Sequence, residues 1–258
     1  MRRLKRIFRK DGKSVIVAMD HGMGLNVLPE LNDTGEVLKK IVDAGADAVL
    51  TTFGIAKKYK EVLSDTGLIL RLDGGSSHLY HKSNYPKLLY SVEDALKMGA
   101  DAVACMGFPG IEFQEENLQI LAQVAAKCEE WGLPLIAEML PGGFNPEPAN
   151  TVENVKLAAR IGCELGADVI KTSFAGTKEE FQEIVAGLFA PVVILGGDKT
   201  KNIGDLFDVI EQAMQVGAAG VAIGRNVWKN KQPGKITAAL VDLVHHKKSA
   251  EECLSLID

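Results

Sequence analysis

No stretch of this chain holds the roughly 20 consecutive apolar residues that a membrane-spanning helix needs, and no hydrophobic signal core follows its basic start. Cysteine is scarce. Cys105, Cys128, Cys163 and Cys253 stand far apart, with neither a CxxC pair nor zinc-like spacing. That argues against a disulfide framework and suits a reducing compartment, so a cytoplasmic protein is expected. Positive charge is not in excess: 29 Lys and Arg face 34 Asp and Glu, a net charge of −5. With pI ≈ 5.6 the chain has no field to draw it to nucleic acid. Histidine is also sparse, five in all. His81 and the His245-His246 pair suggest no three-ligand metal site, and His21, His78 and Asp73 are the set that could still form one.

What is present is regular. The length of 258 residues is near the roughly 250 of a closed barrel of eight strand–helix units, so one domain over 1–258 is expected. Short apolar runs fall at Val15–Met19, Ala48–Thr51, Leu68–Leu72, Asp101–Cys105, Leu133–Glu138, Asp168–Lys171, Pro191–Leu195 and Gly220–Ile223. Each sits between turn signals, as strands buried on both faces do. Helical patterns separate them at Thr34–Ala44, Val92–Met98, Gln114–Trp131, Val152–Leu165, Lys178–Gly187 and Gly204–Val216, with a weaker one at Ile55–Leu63.

Where helix hands back to strand a signature recurs: Gly45-Ala46-Asp47, Gly99-Ala100-Asp101, Gly166-Ala167-Asp168 and Gly217-Ala218-Ala219. The glycine suits a left-handed helix cap, and the small residue lets the chain turn tightly. Together these features predict an α/β fold, a (β/α)8 TIM barrel, in preference to an open doubly wound sheet. The basic opening interleaves Leu4, Ile7 and Phe8 with its charges and is expected to form a surface helix closing one end of the barrel.

Chemistry in such barrels is built at the C-terminal strand ends. Strand six closes on Lys171, where burial lowers an ammonium's pKa and frees an amine to attack a carbonyl. A structural lysine pairing with Asp20, or a substrate phosphate ligand, is the rival. Gly196-Gly197 and Gly224-Arg225 end strands seven and eight, the pair of strands that commonly cradles phosphate; tight turns and a solvated Arg225 are the rival there. Asp20-His21 ends strand one and can move protons or hold the lysine, unless it is a simple cap. Ser76 follows strand three and is a further candidate substrate contact.

Val15-Ile16-Val17-Ala18-Met19-Asp20-His21-Gly22, Leu70-Arg71-Leu72-Asp73-Gly74, Val169-Ile170-Lys171-Thr172 and Gly220-Val221-Ala222-Ile223-Gly224-Arg225-Asn226 resemble the archaeal-type (DhnA-like) class I fructose-bisphosphate aldolase family over nearly the whole chain. The resemblance implies that Lys171 forms a Schiff base, that Asp20 is the carboxylate beside it, and that Gly197, Gly224 and Arg225 bind phosphate. No cofactor is expected, and the sparse histidines disfavour a metal-dependent aldolase. One departure matters: the family's Tyr-Pro-Arg-Gly after strand five is here Leu140-Pro141-Gly142-Gly143. Glu138, on the same strand face, is the replacement acid–base, or else it orients Lys171. Loss of the arginine weakens the case for a second phosphate.

The expected function is a class I aldolase or lyase acting on a phosphorylated ketose. A thiolase-type acetyltransferase using coenzyme A, as some relatives of the family are, and a non-catalytic phosphosugar-binding barrel are the alternatives. A homo-oligomer is expected by the same likeness, with Val241, Leu243, Leu254 and Ile257 of the terminal helices as the suggested contact.

Overall fold

Eight apolar runs become eight strands: β1 (Ser14–Ala18), β2 (Ala48–Thr51), β3 (Gly67–Arg71), β4 (Ala102–Gly107), β5 (Leu135–Met139), β6 (Val169–Thr172), β7 (Val192–Leu195) and β8 (Gly220–Ile223). In the computed structural model, which describes residues 2–24, 28–77, 79, 86–144, 150–197, 200 and 202–257, they pair in parallel and in chain order, and β8 closes on β1. His78, His81, Asp198 and Lys199 lie outside the described residues.

Between the strands run α1 (Thr34–Asp43), α2 (Phe53–Lys58), α3 (Val92–Met98), α4 (Gln114–Trp131), α5 (Val152–Glu164), α6 (Lys178–Ala186) and α7 (Ile203–Gln215). After β8 come a single turn, α8 (Arg225–Trp228), then α9 (Pro233–His245) and α10 (Ala250–Leu254). The fifth strand starts at Leu135 rather than Leu133, because Leu133 donates its amide back to Cys128 at the end of α4 and Pro134 has none to give. The second helix is shorter and earlier than expected: the Thr52 hydroxyl accepts from the Ile55 amide and starts it at Phe53.

Strand side chains alternate between two cores. Val15, Val17, Val49, Leu70, Val103, Ala137, Ile170 and Val221 point outward to the helices. Ile16, Ala18, Ala48, Leu50, Ile69, Ala104, Ile136, Val169, Val193 and Ala222 fill the barrel, large beside small. Ile7 joins this inner cluster from below, with Leu4 and Phe8 packed against it. The opening segment does close one end of the barrel, as a short 3-10 turn over Arg3–Arg6. The Ser14 hydroxyl donates to the Ile7 carbonyl at 2.7 Å and pins the plug in place.

All four seam glycines take the left-handed backbone: Gly45, Gly99, Gly166 and Gly217 have φ of 92°, 83°, 95° and 100°. The aspartate after them has its own task. Asp47, Asp101 and Asp168 accept the amides of Val15, Leu68 and Leu135, the first or second residue of the preceding strand, at 2.7, 3.1 and 2.8 Å. Each carboxylate thus satisfies a donor at the strand entrance that the ladder leaves open.

The four cysteines are free and buried. Among the described residues no helix is long and apolar enough to cross a membrane. The suggested oligomer contact needs correction. Val241 and Leu243 are buried within the chain and cannot form it, while Leu254 and Ile257 are half-buried against the same core.

Beneath the barrel, His245 is held between two carboxylates, Nδ1 2.7 Å from Asp11 and Nε2 2.8 Å from Asp47. Arg9 also pairs with Asp47. Burial disfavours the charged imidazole, but Asp47 and Asp11 outweigh it, and the pKa of His245 is raised. A raised folded value means that the charged ring stabilises the fold fully below the unfolded value of about 6.5, and that this contribution fades as pH climbs through the folded one. Thermal melts of His245→Gln against the unaltered protein should therefore differ most at pH 5.5–6 and converge by pH 9. A gap constant across that range would contradict this.

Candidate active site

The alternation that fills the barrel also sets its upper rim. On β3, Ile69 points inward, so Arg71 does too; on β5, Ile136 is followed by Glu138; on β6, Val169 is followed by Lys171. Three ionisable groups therefore crown an apolar interior and face the open C-terminal end. Glu138 and Lys171 are also in register across β5 and β6. Cross-strand partners stand side by side, and the Glu138 Oε1 to Lys171 Nζ distance is 2.9 Å. The Thr172 hydroxyl bonds the Met139 carbonyl at 2.9 Å and holds the two strand ends in this alignment.

Lys171 is only 4% exposed. The dry setting expected from its strand is there, and a carboxylate, Glu138, shares it. Glu138 feels opposing influences as well. Burial works against its charge, yet Lys171 and Arg71 prevail and hold its carboxyl below the ordinary value. Asp20, which the family resemblance sets beside the lysine, is placed differently. Its contact is with Arg71 at 2.7 Å, and Glu138 is the carboxylate on Lys171. Register places Glu138 there: β5 adjoins β6 and pairs Glu138 with Lys171.

Arg71 was not singled out from the sequence, although the whole cluster turns on it. Its guanidinium donates to Asp73 at 2.6 Å, Asp20 at 2.7 Å and Glu138 at 2.9 Å, with 2% of its surface exposed. Burial opposes the charge, but Asp73, Asp20 and Glu138 together raise its pKa well above the ordinary value. The sequence signal was available in part: an arginine at an inward position of an apolar strand must find counter-charges. Asp73, left open as a metal ligand, commits one oxygen to Arg71 and the other to the Met106 amide at 2.8 Å.

A cavity of about 670 Å³ opens above this cluster, within the range of small-molecule sites. Gly196, Gly197, Gly224 and Arg225, the expected phosphate ligands, line one side of it. Glycine is dictated there by space: a Cβ on Gly196 would lie 2.8 Å from Ile223, and one on Gly224 would lie 2.7 Å from the Ala18 carbonyl. Gly197 has φ of +59°. Asn226, also not singled out, braces the corner: its amide donates to the Gly196 carbonyl at 2.9 Å, and its oxygen accepts from the Thr200 amide at 2.8 Å. Trp228 bonds the Ala18 carbonyl through its indole nitrogen and tilts against His21, their ring centroids 5.2 Å apart. His21 lines the cavity beside Asp20. Ser76 reaches the same cavity from the loop after β3, the strand opposite β7 in the ring, so it does not join the glycine corner. Its hydroxyl oxygen is buried without a hydrogen-bond partner among the described residues.

Removing the central cation leaves Asp73 and Glu138 buried without it. Arg71→Ala should cost about 3–5 kcal/mol of stability in urea unfolding, and Arg71→Lys, which keeps one charge but loses the fork, should fall between. Full stability in the alanine variant would show that the cluster is not held this way.

Residues 14–230 match the profile of the DeoC/LacD family aldolases. The chain is 36% identical to the class 1 fructose-bisphosphate aldolase of Thermoproteus tenax, over 97% of each protein. It is also 36% identical to the 2-amino-3,7-dideoxy-D-threo-hept-6-ulosonate synthase of Halobacterium salinarum, covering 98% of this chain and 94% of that one. A crystal structure of an archaeal fructose 1,6-bisphosphate aldolase superposes with a TM-score of 0.87 at 34% identity, over 95% of this chain and 98% of the other. A structure of a Schiff-base-forming fructose-1,6-bisphosphate aldolase follows at 0.86 and 35%, over 95% and 99%. These findings support the lyase reading and lend nothing to acyl transfer or to a non-catalytic barrel. The chain belongs to the DeoC/LacD aldolase family and, within it, to the class I aldolases that work through a lysine Schiff base.

Proposed function

We propose that Lys171 condenses with the ketone of a phosphorylated ketose, and that the cavity makes or breaks the carbon–carbon bond beside the resulting imine. The observation that carries this is the Lys171 nitrogen, buried at the barrel mouth, 2.9 Å from a carboxylate and open to a cavity with a glycine-lined corner. The proton on the amine needs an acceptor before attack, and Glu138 is in reach. Amine and ketone then give the iminium and one water. In the cleavage direction a base takes the proton of the β-hydroxyl and the carbon–carbon bond breaks. Its electrons move to the iminium nitrogen, and an aldehyde leaves. The enamine regains a proton at carbon, and water frees the second product and the lysine.

Asp20 is suited to the hydroxyl proton. Arg71 holds one of its oxygens, while the side chain lines the cavity next to His21. Gly197, Gly224 and Arg225 seat the phosphate: bare backbone lets an anion approach closely, and the guanidinium adds a planar charged fork. Gly196 shapes that turn, and Ser76 offers a hydroxyl to the rest of the substrate. The whole chain, residues 1–258, acts as one domain in this reading, in the cytoplasm and as a homo-oligomer; four free, buried cysteines suit a reducing compartment.

Borohydride reduction in the presence of a phosphorylated ketose should add covalent mass to a peptide containing Lys171, and Lys171→Ala should show none. An adduct on the alanine variant would remove Lys171 from the mechanism. Glu138→Gln should lower kcat by about 10²-fold or more with KM changed only a few-fold, since proton transfer is lost and binding is kept. A change in KM alone would make Glu138 a binding residue.

A further inference from the structure

The cavity has two unlike ends. On the side of β7 and β8 lie the glycine turns and Arg225. β7 and β8 face β3 and β4 across the ring, and beside the Arg71 cluster that far side and neighbouring β5 present the hydrocarbon of Met106, Leu140 and Phe144, with Asn150 also in the lining. Met106 is in register with Glu138, so it points to the mouth. Leu140 leaves β5 with its amide bonded to the Gly107 carbonyl at 2.9 Å. Phe144 sits edge-on to Phe108, their ring centroids 5.2 Å apart. Phe108 is itself fully buried, and a Cβ on Gly143 would lie 2.8 Å from its ring. The wall is therefore a packed feature with a second layer behind it.

The charges agree. Among the described cations of the cavity, Arg71 is committed to three carboxylates and Lys171 to Glu138, while Arg225 stands at the other end. An anion set against Met106 and Leu140 would exchange water for methylenes, with the Glu138 carboxylate in register beside Met106. Ser76 and Ser77 add neutral hydroxyls and Asn150 a neutral amide.

We propose that this wall is a subsite for an uncharged, aliphatic end of the substrate, so that the reacting pair carries a single phosphate, seated at the glycine corner. The inference rests on the imine chemistry proposed above. Its test follows carbon–carbon bond formation with three pairs: dihydroxyacetone phosphate with butanal, hydroxyacetone with glyceraldehyde 3-phosphate, and dihydroxyacetone phosphate with glyceraldehyde 3-phosphate. One singly phosphorylated pair should exceed the doubly phosphorylated one by roughly tenfold or more in kcat/KM, as a charge set against hydrocarbon costs more than a methylene gains. In whichever singly phosphorylated pair is faster, lengthening the unphosphorylated partner (acetaldehyde to butanal, or hydroxyacetone to 1-hydroxybutan-2-one) should raise kcat/KM by about fourfold per methylene. Phe144→Arg, at an exposed position on the rim, should shrink the discrimination against the doubly phosphorylated pair. Equal or faster turnover of that pair, or no gain with chain length, overturns the inference. Borohydride trapping run alongside separates the two levels. If neither ketone traps on Lys171, the imine reading itself fails; if trapping succeeds but the doubly phosphorylated pair is preferred, only the subsite assignment falls.

Discussion

The active end of this barrel depends on one buried cation. Arg71 lies at the top of an apolar interior and binds three carboxylates from three different stretches of chain: Asp20 after β1, Asp73 after β3 and Glu138 on β5. Without it those carboxylates would repel one another in a medium that solvates them poorly. With it, one oxygen of Glu138 is pinned from behind and the other is free to meet Lys171. The amine is thus positioned by a relay from guanidinium to carboxylate to ammonium, each link under 3 Å.

Much of the barrel was legible because two periodicities and one recurrent turn carried it. Apolar runs of strand length alternated with helical patterns, and glycine at four seams announced the return to the sheet. Lys171 was legible for the same reason: a charged residue closing an apolar strand has few places to go. What escaped was anything that depends on register or on convergence from afar. Arg71 was visible as part of a motif, but its partners Asp20 and Glu138 come from 51 and 67 residues away. Likewise, Glu138 stands beside the lysine because the β5–β6 register pairs the two, and side-chain type does not reveal it.

The glycine corner illustrates a different boundary. Its glycines could be read from the sequence as turn residues, and space alone explains why Gly196 and Gly224 must be glycine, given Ile223 and Ala18 as neighbours. Asn226 could not be assigned a task in advance. Its amide joins the ends of β7 and β8 by bonding the Gly196 carbonyl and the Thr200 amide, and only the closed ring brings these together. Missing side chains were the clearest part. Leu140-Pro141-Gly142-Gly143 signalled an altered mouth, and the structure shows hydrocarbon there in Leu140, Met106 and Phe144.

The seam aspartates divide the ring in a way its eightfold regularity hides. Asp47 clasps β2 to β1, Asp101 clasps β4 to β3 and Asp168 clasps β6 to β5, so the carboxylates join strands two by two. The last couple departs from this rule. Ala219 stands where the aspartate would be, and only its backbone amide reaches Val192. The barrel is in effect three riveted pairs and one unriveted pair, and the unriveted strands are the two whose tips form the glycine corner.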